Sequence, residues 1–258
     1  MKADLVIACD GVNSSIRRQL FPTETVIFTG INTWRGVTRH KPFLSGKSYV
    51  RVGSINSAKI VIYPIVEDVD GQGNQLINWT TEILDSGTAR NDWNKPGNIS
   101  DFISRYESWQ FDWLDIPALI RSSDVVFEYP MVDKDPIWEW SFGRVVLAGD
   151  AAHPMYPRGS NGSAQGLIDS RVLSDALAQH GTDWQSAFRA YEHERVEKAA
   201  DVVRTNRSTP PDFINIKVEE LTGDQPIDDL DRYISQEELR AMSDRYKKIA
   251  GFSPENTQ

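Results

Sequence analysis

The chain has 258 residues, 40% hydrophobic and 25% charged, with a formal net charge of -9. That length allows one large domain or two modest ones, and the acidic balance argues against nucleic acid or an anionic membrane as a partner. A lone cysteine, Cys9, excludes an internal disulfide framework and any cysteine-built zinc site.

No apolar run is long enough to span a bilayer, and Met1-Lys2-Ala3-Asp4 lacks the features of a signal peptide, so the expected location is the cytoplasm. Asp4 to Cys9 reads as a buried strand, because Leu5-Val6-Ile7-Ala8 is apolar without interruption. Asp10-Gly11 closes it as a turn, and Asn13 or Ser14 is placed to cap a short helix carrying Ile16 and Leu20. From Val26 to about Leu84 the texture becomes alternating and β-branched, as in Thr33-Trp34-Arg35-Gly36-Val37, Ile60-Val61-Ile62-Tyr63 and Leu76-Ile77-Asn78-Trp79-Thr80. Clusters such as Asp70-Gly71-Gln72-Gly73-Asn74 separate these runs, which predicts an antiparallel sheet with hairpin connections. Ile99 to Trp109 predicts a helix with Phe102, Ile103, Tyr106 and Trp109 on one face, and Val125 to Tyr129 a further strand.

Val145 to Ala148 is a second uninterrupted apolar strand. Beyond Gly162 the spacing of Leu167, Ile168, Val172, Leu173, Ala176 and Leu177 predicts a helix that Gly181 stops. Thr182-Asp183-Trp184-Gln185 reads as a capping box opening a second helix, buried along Trp184, Phe188, Tyr191, Ala199, Val202 and Val203 and ended by Pro210-Pro211. Ser235 with Glu238 opens a last helix to about Ile249. The order is α/β fragment, antiparallel insertion, α/β fragment, helices. It predicts an α/β chain of mixed α+β character, divided at residues 1–25, 26–135, 136–208 and 209–258, with a ligand cleft where the domains meet.

The segment that follows the second apolar strand, Gly149-Asp150-Ala151-Ala152-His153-Pro154-Met155-Tyr156-Pro157-Arg158-Gly159-Ser160-Asn161-Gly162, has the composition of a ligand loop. Asp150 stands at the carboxyl end of a strand, where its carboxylate can accept hydrogen bonds from ligand hydroxyls. Pro157 stiffens the loop, Gly159 and Gly162 permit close approach, and amides around Ser160 to Gly162 open a helix whose start favours negative charge. A tight strand-to-helix connection with no ligand is the competing reading.

The same segment, continued to Gln165 and Asp169, resembles the GD motif of the FAD-dependent aromatic hydroxylases, the single-component flavoprotein monooxygenases of the p-hydroxybenzoate hydroxylase type. Asp10-Gly11-Val12-Asn13-Ser14-Ser15-Ile16-Arg17 resembles that family's DG motif, in the family's order and across an antiparallel domain. Pro157 to Gly162 and the tail from Glu237 to Phe252 look most similar to the phenazine-hydroxylase branch.

The resemblance covers nearly the whole chain. It implies a partial Rossmann-type FAD domain with an inserted substrate domain, FAD as cofactor, and NAD(P)H and O2 as co-substrates in hydroxylation of a small aromatic ring. Under it, Gly149 and Asp150 would meet the ribityl chain. Pro157, Gly159, Ser160, Asn161 and Gly162 would lie along the isoalloxazine. Asp10, Gly11 and Arg17 would lie near the pyrophosphate and the NAD(P)H approach. It assigns no catalytic side chain.

Two positions depart from the family. Ala8 stands where a glycine is common before the DG pair, and no G-x-G-x-x-G fingerprint precedes that pair, which here begins at residue 10. The resemblance is therefore to an N-terminally truncated enzyme, which implies that this chain alone holds no tightly bound flavin. A non-catalytic remnant, or one part of a split flavoenzyme with its N-terminal half in trans, are the alternatives. Trp34, Arg35, Tyr63 and Trp79 are candidates for lining a substrate pocket, with core packing the commoner role for strand aromatics. His153 has no metal-ligand spacing around it and is expected to pack, and no metal site is expected.

Overall fold

The computed structural model describes residues 2–84, 95–223, 225 and 227–252. The chain divides into two compact units, one of Met1–Thr29 with Val132–Gln258 and one of Gly30–Met131. It opens with strand β1 (Val6–Ala8) and helix α1 (Ser15–Leu20), whose N-cap Ser14 accepts from the Arg17 amide. β1 is not the buried strand its composition predicts. It lies at the edge of its sheet, so Val6 and Ile7 are 37% and 48% exposed and only Ala8 is buried.

The second unit carries strands β2 (Ile27–His40), β3 (Val50–Ser54), β4 (Ala58–Val66), β5 (Gln75–Leu84) and β6 (Lys95–Pro96), the short pair β7 (Gln110–Phe111) and β8 (Leu114–Asp115), helix α2 (Ile116–Arg121) and strand β9 (Val126–Asp133). The six-stranded sheet has the order β3-β4-β5-β2-β9-β6, and β3-β4, β4-β5 and β5-β2 all pair antiparallel, as the alternating texture predicts. Alternation decides the faces. Ile60 and Ile62 of β4, Ile77 and Trp79 of β5 and Trp34 of β2 face a core that α2 closes with Leu119 and Ile120. Register sets Tyr63, Asn78 and the buried pair Lys59–Glu82 (2.7 Å) on the opposite face.

The helix expected over 99–109 is instead two 3-10 turns, Ile99–Asp101 and Ile103–Arg105, with Phe102 at φ -135 between them. Its residues are poor helix formers (isoleucine, serine, aspartate), and Phe102 and Tyr106 reach full burial without a continuous helix. α2 was not visible in the pattern because it is six residues long, although Asp115 caps it and a proline occupies its first turn.

The first unit resumes with β10 (Ser141–Phe142) and β11 (Val145–Leu147). β1 pairs parallel with β11, register Ala8 to Leu147, and β10 closes the sheet antiparallel. Helices α3 (Gly162–His180), α4 (Trp184–Ser208), α5 (Phe213–Thr222) and α6 (Gln236–Ile249) follow. Trp140, Val146, Leu147, Leu173, Phe188, Tyr191 and Ala199 form this unit's core. Gly181 ends α3 at φ 56, and the Ser235–Glu238 capping box is present. At α4 the cap is Asp183, which accepts from the Ser186 amide, one residue after the threonine that sequence favours. α5 was missed, since Pro210-Pro211 reads as a terminus. Among the described residues no helix is long and apolar enough to cross a membrane.

Candidate functional site

β11 delivers the chain to Gly149, whose φ of 57 turns it into a 3-10 turn over Gly149–Ala151. That turn is held from below. The Gly149 amide donates to Asp169 Oδ2 (2.9 Å), and His153 Nε2 shares the same oxygen (2.5 Å). Arg195 Nε of α4 donates to Asp169 Oδ1 (2.7 Å) and its Nη2 to Gln165 Oε1 (2.7 Å). All of these side chains are buried. Burial pushes the Asp169 carboxyl up, but hydrogen bonds and charge from His153 and Arg195 outweigh it and hold it below the usual range. His153, beside the Trp140 ring (centroids 5.2 Å), is thus a packed structural residue, as expected.

This hub explains the buried stripe of α3, which is Gln165, Asp169, Leu173 and Ala176. Leu167, which apolar spacing includes, is 72% exposed. Arg195 escaped sequence reading, although a signal exists: it falls at four-residue spacing between Tyr191 and Ala199, a charge on an apolar stripe that requires a buried partner.

Asp150 differs from Asp169. It is exposed, and its carboxyl is raised by desolvation from the surrounding protein, partly offset by the charge of His153. No described residue donates a hydrogen bond to it. A β-carbon built on Gly162 would lie 3.7 Å from Asp150 Oδ1, so the carboxylate stands beside the start of α3. Asn161, at the N-cap position, makes no side-chain cap, and the first turn of α3 carries no acidic residue. The opening amides of a 19-residue helix are therefore free of the usual intramolecular acceptor, next to a carboxylate with unused acceptor capacity.

Between them runs the loop. Pro157–Gly159 form a 3-10 turn and Ser160 is left-handed at φ 50, a conformation that costs a non-glycine residue about 1 kcal/mol or more. Asn161 is buried and its Nδ2 lacks a well-placed hydrogen-bond partner. Asp10 Oδ2 accepts from the Ser15 amide (2.8 Å) and hydroxyl (3.1 Å). Its slight burial is outweighed by bonds from Ser14 and Ser15, which lower its pKa. Gly11, at φ 82, makes the turn into α1.

Arg17 is fully buried. Its five N–H groups reach Glu24 Oε2 (2.8 Å), Glu24 Oε1 (2.5 Å), Ala151 O (3.0 Å), Ala152 O (2.6 Å) and Asp135 O (3.4 Å). With every donor engaged inside the protein, Arg17 clasps the carbonyls of the turn that carries Asp150.

In the second unit, two of the three aromatic candidates for a substrate pocket are core residues. Trp34 stacks on Phe102 (4.8 Å) and Trp79 is fully buried, its indole N–H donating to Thr38 and Ser123 (3.1 and 2.8 Å). Strand alternation sends both side chains toward α2 and away from the face that holds Tyr63. Tyr63 stacks on Tyr49 (5.6 Å) on that other face, where Arg35 Nε donates to Asn78 Oδ1 (2.7 Å). Among the described residues, no cluster of three or more His, Cys, Asp or Glu could hold a metal ion.

Residues 131–206 match the family described as an FAD binding domain. The chain is 34% identical, over 80% of its length and 51% of the relative's, to a phenazine 1,6-dicarboxylic acid hydroxylase of Lysobacter antibioticus. It is 30% identical, over 80% and 52% respectively, to a 6-hydroxynicotinate 3-monooxygenase of Bordetella bronchiseptica. Its fold is similar to that of Klebsiella pneumoniae HpxO complexed with FAD and uric acid, with a TM-score of 0.64 at 20% identity over 97% of this chain and 56% of that one. The chain spans about half the length of the curated relatives it matches. With its two motifs in order around an antiparallel sheet, the chain is similar to FAD-dependent aromatic hydroxylases over the half of their length that it spans.

Proposed function

We propose that this chain forms the flavin-facing part of an FAD-dependent monooxygenase that hydroxylates a small aromatic substrate with NAD(P)H and O2. One observation carries the reading: Asp150, an exposed carboxylate with no donor among the described residues, beside a helix start with no side-chain cap. A polyol chain supplies hydroxyl donors to the first feature, and an electron-rich ring edge suits the second. The residues present therefore fit this half of FAD. When bound, FAD would supply the electron transfer from NAD(P)H toward O2 that no side chain can supply.

The protein's own part is to bind and orient. Asp150 accepts the ribityl hydroxyls and Gly149 gives the backbone room. Pro157, Gly159, Ser160, Asn161 and Gly162 present the loop and amides to the isoalloxazine. Asp169, His153 and Arg195 hold the turn from behind. Asp10 and Gly11 set the DG turn, and Arg17 acts on the site through Ala151 and Ala152. Tyr63, on the sheet face where Arg35 meets Asn78, is the better candidate for meeting an aromatic substrate, and the names of the relatives support aromatic or heteroaromatic acids as its class. Among the described residues β1 pairs only with β11, so its other edge is open to a further strand, which the split-enzyme reading requires.

Titration of FAD against the chain and its Asp150→Ala variant tests the assignment. Loss of one or two charge-assisted bonds is expected to weaken binding by tenfold or more, roughly. Equal affinities would remove Asp150 from the site.

A further inference from the structure

The loop Tyr156–Asn161 is gripped from the side by residues distant in sequence. Tyr246 Oη of α6 donates to Asn206 Oδ1 (2.8 Å), and Asn206 Nδ2 donates to the Tyr156 carbonyl (3.0 Å). Arg158 Nε reaches both oxygens of Asp212 (3.0 and 2.9 Å), and Gln165 Nε2 donates to the carbonyl of Ala250, just past α6. Asn206, Asp212 and Tyr246 are all buried, and burial raises the Tyr246 pKa so that its hydroxyl stays protonated and able to donate. A β-carbon at Gly159 would overlap the Tyr246 hydroxyl and lie 2.5 Å from Asn206 Oδ1, so glycine is required there by contact with this pair and not by its backbone angle. The region matched to the FAD binding domain family ends at residue 206, so Asp212, Tyr246 and Ala250 lie beyond it.

A serine held at positive φ persists only where its surroundings over-determine it. Among the described residues Ser160 has no side-chain bond that does so, while Tyr156 and Arg158, just ahead of it, are pinned.

We infer that the C-terminal helix α6 is a positioning element for the loop, with Tyr246 and Asn206 as its positioning residues. The Tyr246 hydroxyl orients Asn206, Asn206 fixes the Tyr156 carbonyl, and Gly159 seats against both. The loop is thereby set in one conformation before any ligand arrives. That this conformation serves a flavin rests on the function proposed above; the clamp itself does not.

Trypsin tests it, because the Arg158–Gly159 bond lies inside the clamp and cleavage there reports the population of the opened loop. Tyr246→Phe removes one oxygen and leaves Asn206 half-bonded. Cleavage at Arg158, identified by fragment mass, is expected to rise about 5- to 30-fold, while cleavage after Arg195 in the middle of α4 stays at the wild-type rate. Gly159→Ala is expected to open the loop as well. Adding Tyr246→Phe to it should restore part of the resistance, since it removes the oxygen that the new methyl strikes. A general loss of stability would instead make the double variant worse than either single one. Unchanged cleavage in Tyr246→Phe, a parallel rise at Arg195, or no rescue in the double variant overturns the clamp. FAD added to the wild-type chain should suppress cleavage at Arg158. If it does not while the variants behave as stated, the clamp stands and the flavin assignment of the loop fails.

Discussion

Asp169→Asn is the most informative stability test in the first unit. Asp169 is fully buried and receives the Gly149 amide, His153 Nε2 and Arg195 Nε. Asparagine keeps the shape but offers one oxygen and one NH2. Turned either way, it sets a donor against a donor, at Arg195 or at Gly149 and His153. The guanidinium of Arg195, itself 4% exposed, then has only Gln165 for company.

Removing one partner of a buried ion pair costs about 3–5 kcal/mol, against a total of about 5–15 kcal/mol for a domain. A loss of about 3 kcal/mol lowers the midpoint of a domain this size by about 6–12 °C. The sign with pH follows from the lowered pKa. The ionised carboxylate stabilises the fold above its unfolded value of about 3.9 and loses that contribution as pH falls through the lower folded one. Melting curves from circular dichroism should therefore separate wild type and variant throughout pH 5–8 and converge in stronger acid. A variant melting within about 2 °C of wild type at pH 7 would refute the hub as the anchor of the Gly149 turn.

Three further outcomes follow from the same geometry. Arg17→Lys keeps the charge but not the fork, so urea unfolding should show a loss of about 2–3 kcal/mol; a shift below about 0.5 kcal/mol would mean the clasp on Ala151 and Ala152 holds nothing. Trp79→Phe should cost about 1–3 kcal/mol and leave affinity for aromatic ligands unchanged, whereas lost affinity at full stability would return Trp79 to the pocket. For Asp150 the direction reverses: its folded pKa is raised, so its contribution to stability is fullest in acid and falls away as pH rises through that value. Asp150→Asn should therefore melt slightly higher than wild type at pH 7 and equally at pH 3, and a variant less stable at neutral pH contradicts the desolvation argument.

The elements most legible in sequence were those with strong local signals. The Ser235–Glu238 box, the Gly181 stop and the alternating strands β2 to β5 each depend on neighbouring residues alone. What stayed hidden depends on partners far along the chain. Whether Trp79 lines a pocket or a core is decided by which face of β5 meets α2, and α2 is too short to announce itself. Val6 and Ile7 look buried because composition records apolarity, not whether a strand has a neighbour on its free side. Arg17 reads as a ligand arginine in a motif, yet the carbonyls it serves are more than 130 residues away. Asp212 shows the same limit, since no neighbouring residue signals that its carboxylate is taken by Arg158.

The role proposed for Asp150 and the loop from Pro157 to Gly162 is to receive the flavin end of FAD. Equilibrium titration with FAD, followed by quenching of flavin fluorescence, measures it directly in the wild type, in Asp150→Ala and in Asp183→Ala, a helix cap outside the motif. The account predicts weak, saturable binding by the wild type, about tenfold or more weaker in Asp150→Ala and unchanged in Asp183→Ala. Binding that ignores Asp150, or that falls equally in both variants, contradicts it.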